Sequence, residues 1–167
     1  MSTTDVAAAA GVGERALREA LRHVGVRESP PGSNRTPFGR WFGVDGVPWC
    51  AIFVSYCFAH GAGTVLCRGW HGAGVYPRGV AYVPTLEAWL RATHRWLDRH
   101  APARPGDIVV YDWDGGLPDH VGIVRRALPE RRLATVEGNT AVGNDSDGGA
   151  VMRRTRSLAS VSGFGRL

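Results

Sequence analysis

The stretch from Val47 to Gly61, VPWCAIFVSYCFAHG, sets Cys50 directly after Pro48 and Trp49 and then runs on in residues that are apolar on every side. A helix that is apolar all round is buried all round, so Cys50 opens a buried helix. Unpaired N–H groups and the helix dipole favour an anion at such an end, and the anion of a thiol is its nucleophilic form. A nucleophile of this kind needs a base and a group that orients the base. PDHVGIV supplies His120 at the head of a strand, beside Gly122, whose small size leaves the ring room. TVEGNT supplies Glu137 and Asn139, which alternation places on one face of a strand. Singly, these residues read as a small core thiol, a polar strand end and a surface carboxylate. Together they form a nucleophile, a base and an orienting acid, the set that acyl transfer requires.

The elements that must bring them together follow from periodicity. Gly13 to Val24 places Ala16, Leu17, Ala20, Leu21 and Val24 on one face of an amphipathic helix, which Gly25 closes. Glu28 to Pro48, rich in Pro, Gly, Ser and Asn, reads as a loop laid over the body and anchored by Trp41 and Phe42. The helix from Cys50 is central, and a second one starts at Pro84 with Leu86, Trp89, Leu90, Thr93 and Leu97 at helical spacing. After RPGD the pattern turns to short β-prone runs at Ile108 to Tyr111, Val121 to Val124, Leu133 to Val136, Ala150 to Arg153 and Ser160 to Phe164. Helices first and closely spaced strands afterwards predict an α+β domain with an antiparallel sheet.

Three blocks, PWCAIFVSYC, RPGDIVVYDWDGGLPDHVGIV and TVEGNT, are similar in order, spacing and context to the signatures of the CHAP family, the cysteine- and histidine-dependent amidohydrolases and peptidases of the papain-like superfamily. The likeness runs from Val26 to the C-terminal VSGFGR and is greatest to the single-domain CHAP modules of bacteriophage lysins and bacterial autolysins. The resemblance implies a papain-like α+β fold, with helices packed on an antiparallel β-sheet and the catalytic Cys50 at the N-terminus of the central helix. It also implies that His120 is the base, that Glu137 orients and stabilises the imidazolium, and that Asn139 is a supporting polar residue near the histidine. The implied activity is hydrolysis of an amide in bacterial peptidoglycan through an acyl-enzyme on Cys50, at either the muramoyl–L-alanine bond or a bond of the peptide cross-bridge. Two departures stand out. The chain has no glutamine to donate into an oxyanion hole, which leaves the Cys50 backbone N–H and another group. Phe38 occupies a place where many relatives carry tyrosine.

The expected organisation is an N-terminal tail over residues 1–12 and one CHAP domain over 13–167. Trp49 and Trp113 are candidates for the walls of a substrate groove, and Asp119 for the amine of a diamino acid in a stem peptide. Asp112, Asp114 and Asp119 lack the length and terminal glutamate of a calcium loop and read as a turn. Cys57, His60, Cys67 and His71 fit no zinc-finger spacing closely, so neither metal nor cofactor is expected. All 20 cationic side chains are arginine, and the formal net charge of +5 suits anionic wall polymers as partners. The arginines are scattered and read as a solvated face, no nucleic-acid motif accompanies them, and a monomer is expected. The apolar run Val6 to Ala10 is too short for a secretory leader, and no segment predicts membrane insertion. The expectation is therefore synthesis in the cytoplasm and action on the wall after phage-type release or injection. The competing readings are an intracellular cysteine amidase or protease on a non-wall substrate, and a catalytically idle wall-binding or phage-tail domain.

Overall fold

A computed structural model describes residues 10–167. Helix α1 spans Val12–Arg22 and buries Ala16, Leu17 and Ala20, the face that the periodicity predicts. The expected tail lies outside the described residues over 1–9, and α1 begins at Val12. The segment read as loop contains a short helix, α2 (Pro37–Phe42), started by Pro37 at its head and by Thr36, whose hydroxyl accepts from the Gly39 N–H at 3.0 Å. Its shortness hid it, since one and a half turns show no periodicity. Phe42 is buried and Trp41 packs against the core, the two anchors expected.

Helix α3 (Cys50–Ala62) is the central element, with Ala51, Ile52, Phe53, Val54, Cys57 and Phe58 inaccessible to solvent. A hairpin of β1 (Val75–Tyr76) and β2 (Gly79–Val80) follows, then α4 (Val83–Ala92). Gly79 lies against α3, where a Cβ would come within 2.6 Å of Ser55. The helical pattern predicts an α4 that reaches Leu97, but the chain turns at His94, with a φ of 58°, and Leu97 belongs to β3 (Trp96–Asp98). Thr93 and Leu97, which keep helical spacing by chance, are enough to extend the reading.

The remaining strands are β4 (Ile108–Tyr111), β5 (His120–Leu128), β6 (Arg132–Thr140), β7 (Ala150–Ser157) and β8 (Val161–Gly165), in a sheet of order β3-β8-β4-β5-β6-β7 with every pairing antiparallel. The class is α+β, with helices packed on an antiparallel sheet. Ile108, Val110, Val121, Ile123 and Val136 face the helices within the main core. Alternation turns Val109, Tyr111, Val124 and Leu133 to the other face, where they form a second cluster with Val161 and Phe164. Among the described residues no helix is long and apolar enough to cross a membrane.

Candidate active site

Trp49 immediately precedes α3 and is fully buried. Its ring stacks on Phe38 at 5.7 Å, meets Phe53 edge-on at 6.4 Å, and donates its indole N–H to Glu28 Oε1 at 3.0 Å. β6 comes close at Gly138, where a Cβ would lie 2.7 Å from Trp49 and 2.8 Å from Phe53. This contact requires glycine and fixes the start of α3 against the strand that carries Glu137. Trp49 therefore holds the site from inside, and the expectation that it lines a groove is corrected by its complete burial. Phe38 likewise sits in the aromatic core among Trp49, Phe53 and Tyr56.

Cys50 is the first residue of α3, where the backbone N–H has no intrahelical acceptor. It is 6% exposed, while Cys57 and Cys67 are wholly enclosed. Its surface opens on a groove of about 370 Å³ whose walls include Val44, Val47, Pro48, Tyr76 and Tyr82. Asp119 supplies the one carboxylate of that groove among the described residues.

His120 and Glu137 are both fully buried, on neighbouring strands of the face that carries Tyr111. Imidazole Nε2 donates to Glu137 Oε2 at 3.0 Å. Nδ1 has no partner within ordinary hydrogen-bond limits. It is the nitrogen left for Cys50, whose nearness favours the protonated ring. Catalytic contacts of this type commonly tighten only when substrate is bound. Gly122 makes room for the Glu137 side chain rather than for the ring, since a Cβ there would lie 2.6 Å from Glu137 Cγ.

Glu137 is held from several strands at once. Tyr111 Oη donates to Oε1 at 2.8 Å and Thr135 Oγ1 to the same oxygen at 2.7 Å. Arg156 approaches with Nε at 3.1 Å from Oε1 and Nη2 at 2.5 Å from Oε2. Burial alone would raise this carboxyl, but the bonds from His120 and Arg156 and their charges outweigh it and hold it at about 2. Burial pulls the imidazole down, yet hydrogen bonding to Cys50 and Glu137 and their charges prevail and raise it from 6.5 to about 9. His120 thus keeps its proton at neutral pH, ready to release it to a leaving group.

The structure brings Cys50, His120 and Glu137 together and does not join Asn139 to the histidine. β6 bulges between Glu137 and Thr140, Asn139 adopts a φ of 58°, and the alternation that would align it with Glu137 is broken. Its Nδ2 donates to the Ser146 carbonyl at 3.4 Å, and its Oδ1 is buried without a partner. Trp113 is exposed at the mouth of the site, stacked on Tyr111 at 5.3 Å and 5.7 Å from His120. Asp119 is half-buried at the groove, and its Oδ2 accepts from the Trp113 N–H at 2.7 Å. Sequence reasoning missed Tyr111, Thr135 and above all Arg156, which it assigned to a solvated face. The available signal was strand alternation, which puts Arg154 and Arg156 on one side of β7, facing Thr135 and Leu133 across the ladder to β6.

The model of the CHAP domain family matches residues 42–139. None of the curated proteins matches the chain. Among solved structures the chain is similar to the crystal structure of Ly7917, with 20% identity over 93% of this chain and 62% of that one and a TM-score of 0.51. It is similar to the same extent, at 19% identity and a TM-score of 0.51, to Ly7917 with the hydrolyzing product of MDP. These likenesses concern the fold, and the chain spans 62% of the length of that protein.

Proposed function

This chain belongs to the CHAP family, and on that premise we propose that it is a cysteine hydrolase of bacterial peptidoglycan, built as one domain over residues 13–167 and cleaving either the muramoyl–L-alanine amide or an amide of the peptide cross-bridge. The observation that carries the reading is the buried bond of His120 Nε2 to Glu137, 3.0 Å long, with Nδ1 left for a thiol that opens a helix and a groove. The similarity to a structure holding the hydrolyzing product of MDP supports a peptidoglycan fragment as substrate.

In the proposed reaction the Cys50 thiol proton has already passed to His120, the sulfur attacks the amide carbonyl carbon, and the carbonyl π electrons move to oxygen. The Cys50 backbone N–H donates to that oxygen. Collapse re-forms the carbonyl and breaks the C–N bond, with the imidazolium proton passing to the departing amine. Water, deprotonated by His120, then attacks the thioester and releases the acid and the free thiol. Glu137 supports the imidazolium in both halves. Asp119 borders the groove and is suited to a substrate ammonium, Trp113 offers an exposed ring beside His120, and anionic wall polymers are further partners for the arginine-rich surface. Asn139 supports the site from the bulge of β6 and not by a bond to the histidine.

Mass spectrometry of fragments released from purified peptidoglycans of several chemotypes tests this. Wild type is expected to release products that Cys50→Ala and His120→Ala do not. Free stem peptides would identify the muramoyl–L-alanine bond, and opened cross-bridges the endopeptidase. No product from any wall, from folded and reduced protein, would overturn the substrate class.

A further inference from the structure

Among the described neighbours of Glu137 that the reaction scheme does not use, Arg156 alone carries a charge. Arg156 is a buried cation, 6% exposed, on β7, the strand beyond the one that carries Glu137. It meets both carboxylate oxygens, through Nε at 3.1 and 3.2 Å and through Nη2 at 2.5 Å, with a further contact to Thr140 Oγ1 at 3.4 Å. A two-pronged guanidinium contact of this kind fixes the plane of a carboxylate as well as its place. Behind it, Nη1 pairs at 2.7 Å with Asp145, a residue of the β6–β7 connection that is exposed and also pairs with Arg154. The guanidinium lies over the Tyr111 ring at 5.6 Å and the Trp113 ring at 5.5 Å, so one side chain touches both the acid and the aromatic stack beside His120.

We propose that Arg156 is a positioning residue of the site, pinning the Glu137 carboxylate so that it aims His120 at Cys50 and sharing that carboxylate's charge, so that the imidazole does not hold its proton too tightly. The inference rests on the reading of Cys50 and His120 as the reacting pair. The charges converge in an alternating line, from Asp145 through Arg156 and Glu137 to His120 and Cys50. Other groups in contact with this line are Tyr111 on β4 and Thr135 on β6, which both donate to Glu137, while Asp119, next to His120 in the chain, bonds the Trp113 N–H instead. An imidazole paired with an unshared buried carboxylate would be a poor proton donor to the leaving amine, because acid and base work best with affinities near the working pH. Arg156 offsets part of that attraction.

The test is titration of the His120 ring by NMR, the resonance being identified by its absence from His120→Ala. It needs no substrate, so failure of any wall to be cleaved leaves it intact, and cleavage of a wall does not decide it. Arg156→Met removes the positive charge and is expected to move the His120 titration upward by on the order of one pH unit. Arg156→Lys keeps the charge and is expected to return it to within a few tenths of a unit of wild type. Asp145→Asn, a change at an exposed position, removes a negative charge and is expected to move it downward, by less. A folded Arg156→Met protein with an unchanged or lowered titration overturns the proposal, as does a lysine variant shifted as far as the methionine one. Should Arg156→Met not fold, Asp145→Asn decides alone: a fall supports the line of charges and no change overturns it.

Discussion

Two sets of carboxylates flank His120, and they are built in opposite ways. Glu137 is fully buried and takes its hydrogen bonds from side chains on four strands: Tyr111 on β4, His120 on β5, Thr135 on β6 and Arg156 on β7. Asp112, Asp114 and Asp119, in the β4–β5 connection, bring oxygens within 4.8 Å of one another. Each accepts backbone N–H groups of its own turn: Asp112 from Asp114 and Gly115, Asp114 from Gly116, and Asp119 from Trp113. The first carboxylate is oriented by four strands of the sheet and has no freedom to turn to water. The others are oriented by local turn chemistry and shape the approach to the groove. Nearness to the histidine in sequence, where Asp119 is its immediate neighbour, does not select its partner. Burial and the convergence of strands do.

The contrast predicts a graded series of effects. Glu137→Gln keeps the shape and removes the charge, and it should lower kcat by roughly 10²- to 10⁴-fold, the range that acid–base catalysis and loss of an orienting acid span elsewhere. The sign of its pH effect follows from His120, which stands at about 9 because the charges and hydrogen bonds around it outweigh burial. The protonated imidazole is lost as pH rises through about 9 in wild type. Without the carboxylate, burial gains relative weight and the alkaline limb of the pH–rate profile moves to lower pH.

Stability should show the same pair. The His120 contribution is fully present below 6.5 and lost as pH rises through about 9. The Glu137 contribution is present above 4.5 and lost as pH falls through about 2. Thermal unfolding should therefore give a plateau in Tm between those limits, with a decline on both sides, and Glu137→Gln should flatten the acid side. On the exposed set, Asp119→Asn should raise KM several-fold for substrates bearing a diamino acid and leave kcat little changed, measured on stem peptides with and without the free amine. Asp112→Ala should be the smallest change, costing about 1 kcal/mol of stability through lost turn hydrogen bonds, with the pH–rate profile unmoved. Equal effects at Glu137 and Asp112 would erase the distinction.

Much of this arrangement is legible in the residues. The all-apolar run after Cys50 predicts a buried central helix, and α3 begins at that residue. His120 at a strand head and Glu137 on the adjoining strand are both found as alternation suggests. What escaped depends on the third dimension. Asn139 was assigned by alternation, which a bulge cancels, and a bulge leaves no mark in a run such as EGNT. Trp49 reads as a candidate groove wall because tryptophan suits grooves and cores alike, and the approach of Gly138 shows that the core applies. Arg156 was read by composition, where one arginine among many looks like solvated charge. Its value lies in facing Glu137 from the neighbouring strand, a fact about strand order and register rather than about residue type.

The most direct measurement is the order in which the cysteines react. Cys57 is raised by burial and then by the charge of Glu19, and burial pushes Cys67 up to about 12, so neither offers a thiolate at ordinary pH. Limiting iodoacetamide at mildly acidic pH, followed by peptide mass spectrometry, should modify Cys50 first and nearly alone, and His120→Ala should slow that reaction markedly. Equal labelling of all three thiols, or a Cys50 rate indifferent to His120, would contradict an activated thiol at the head of α3.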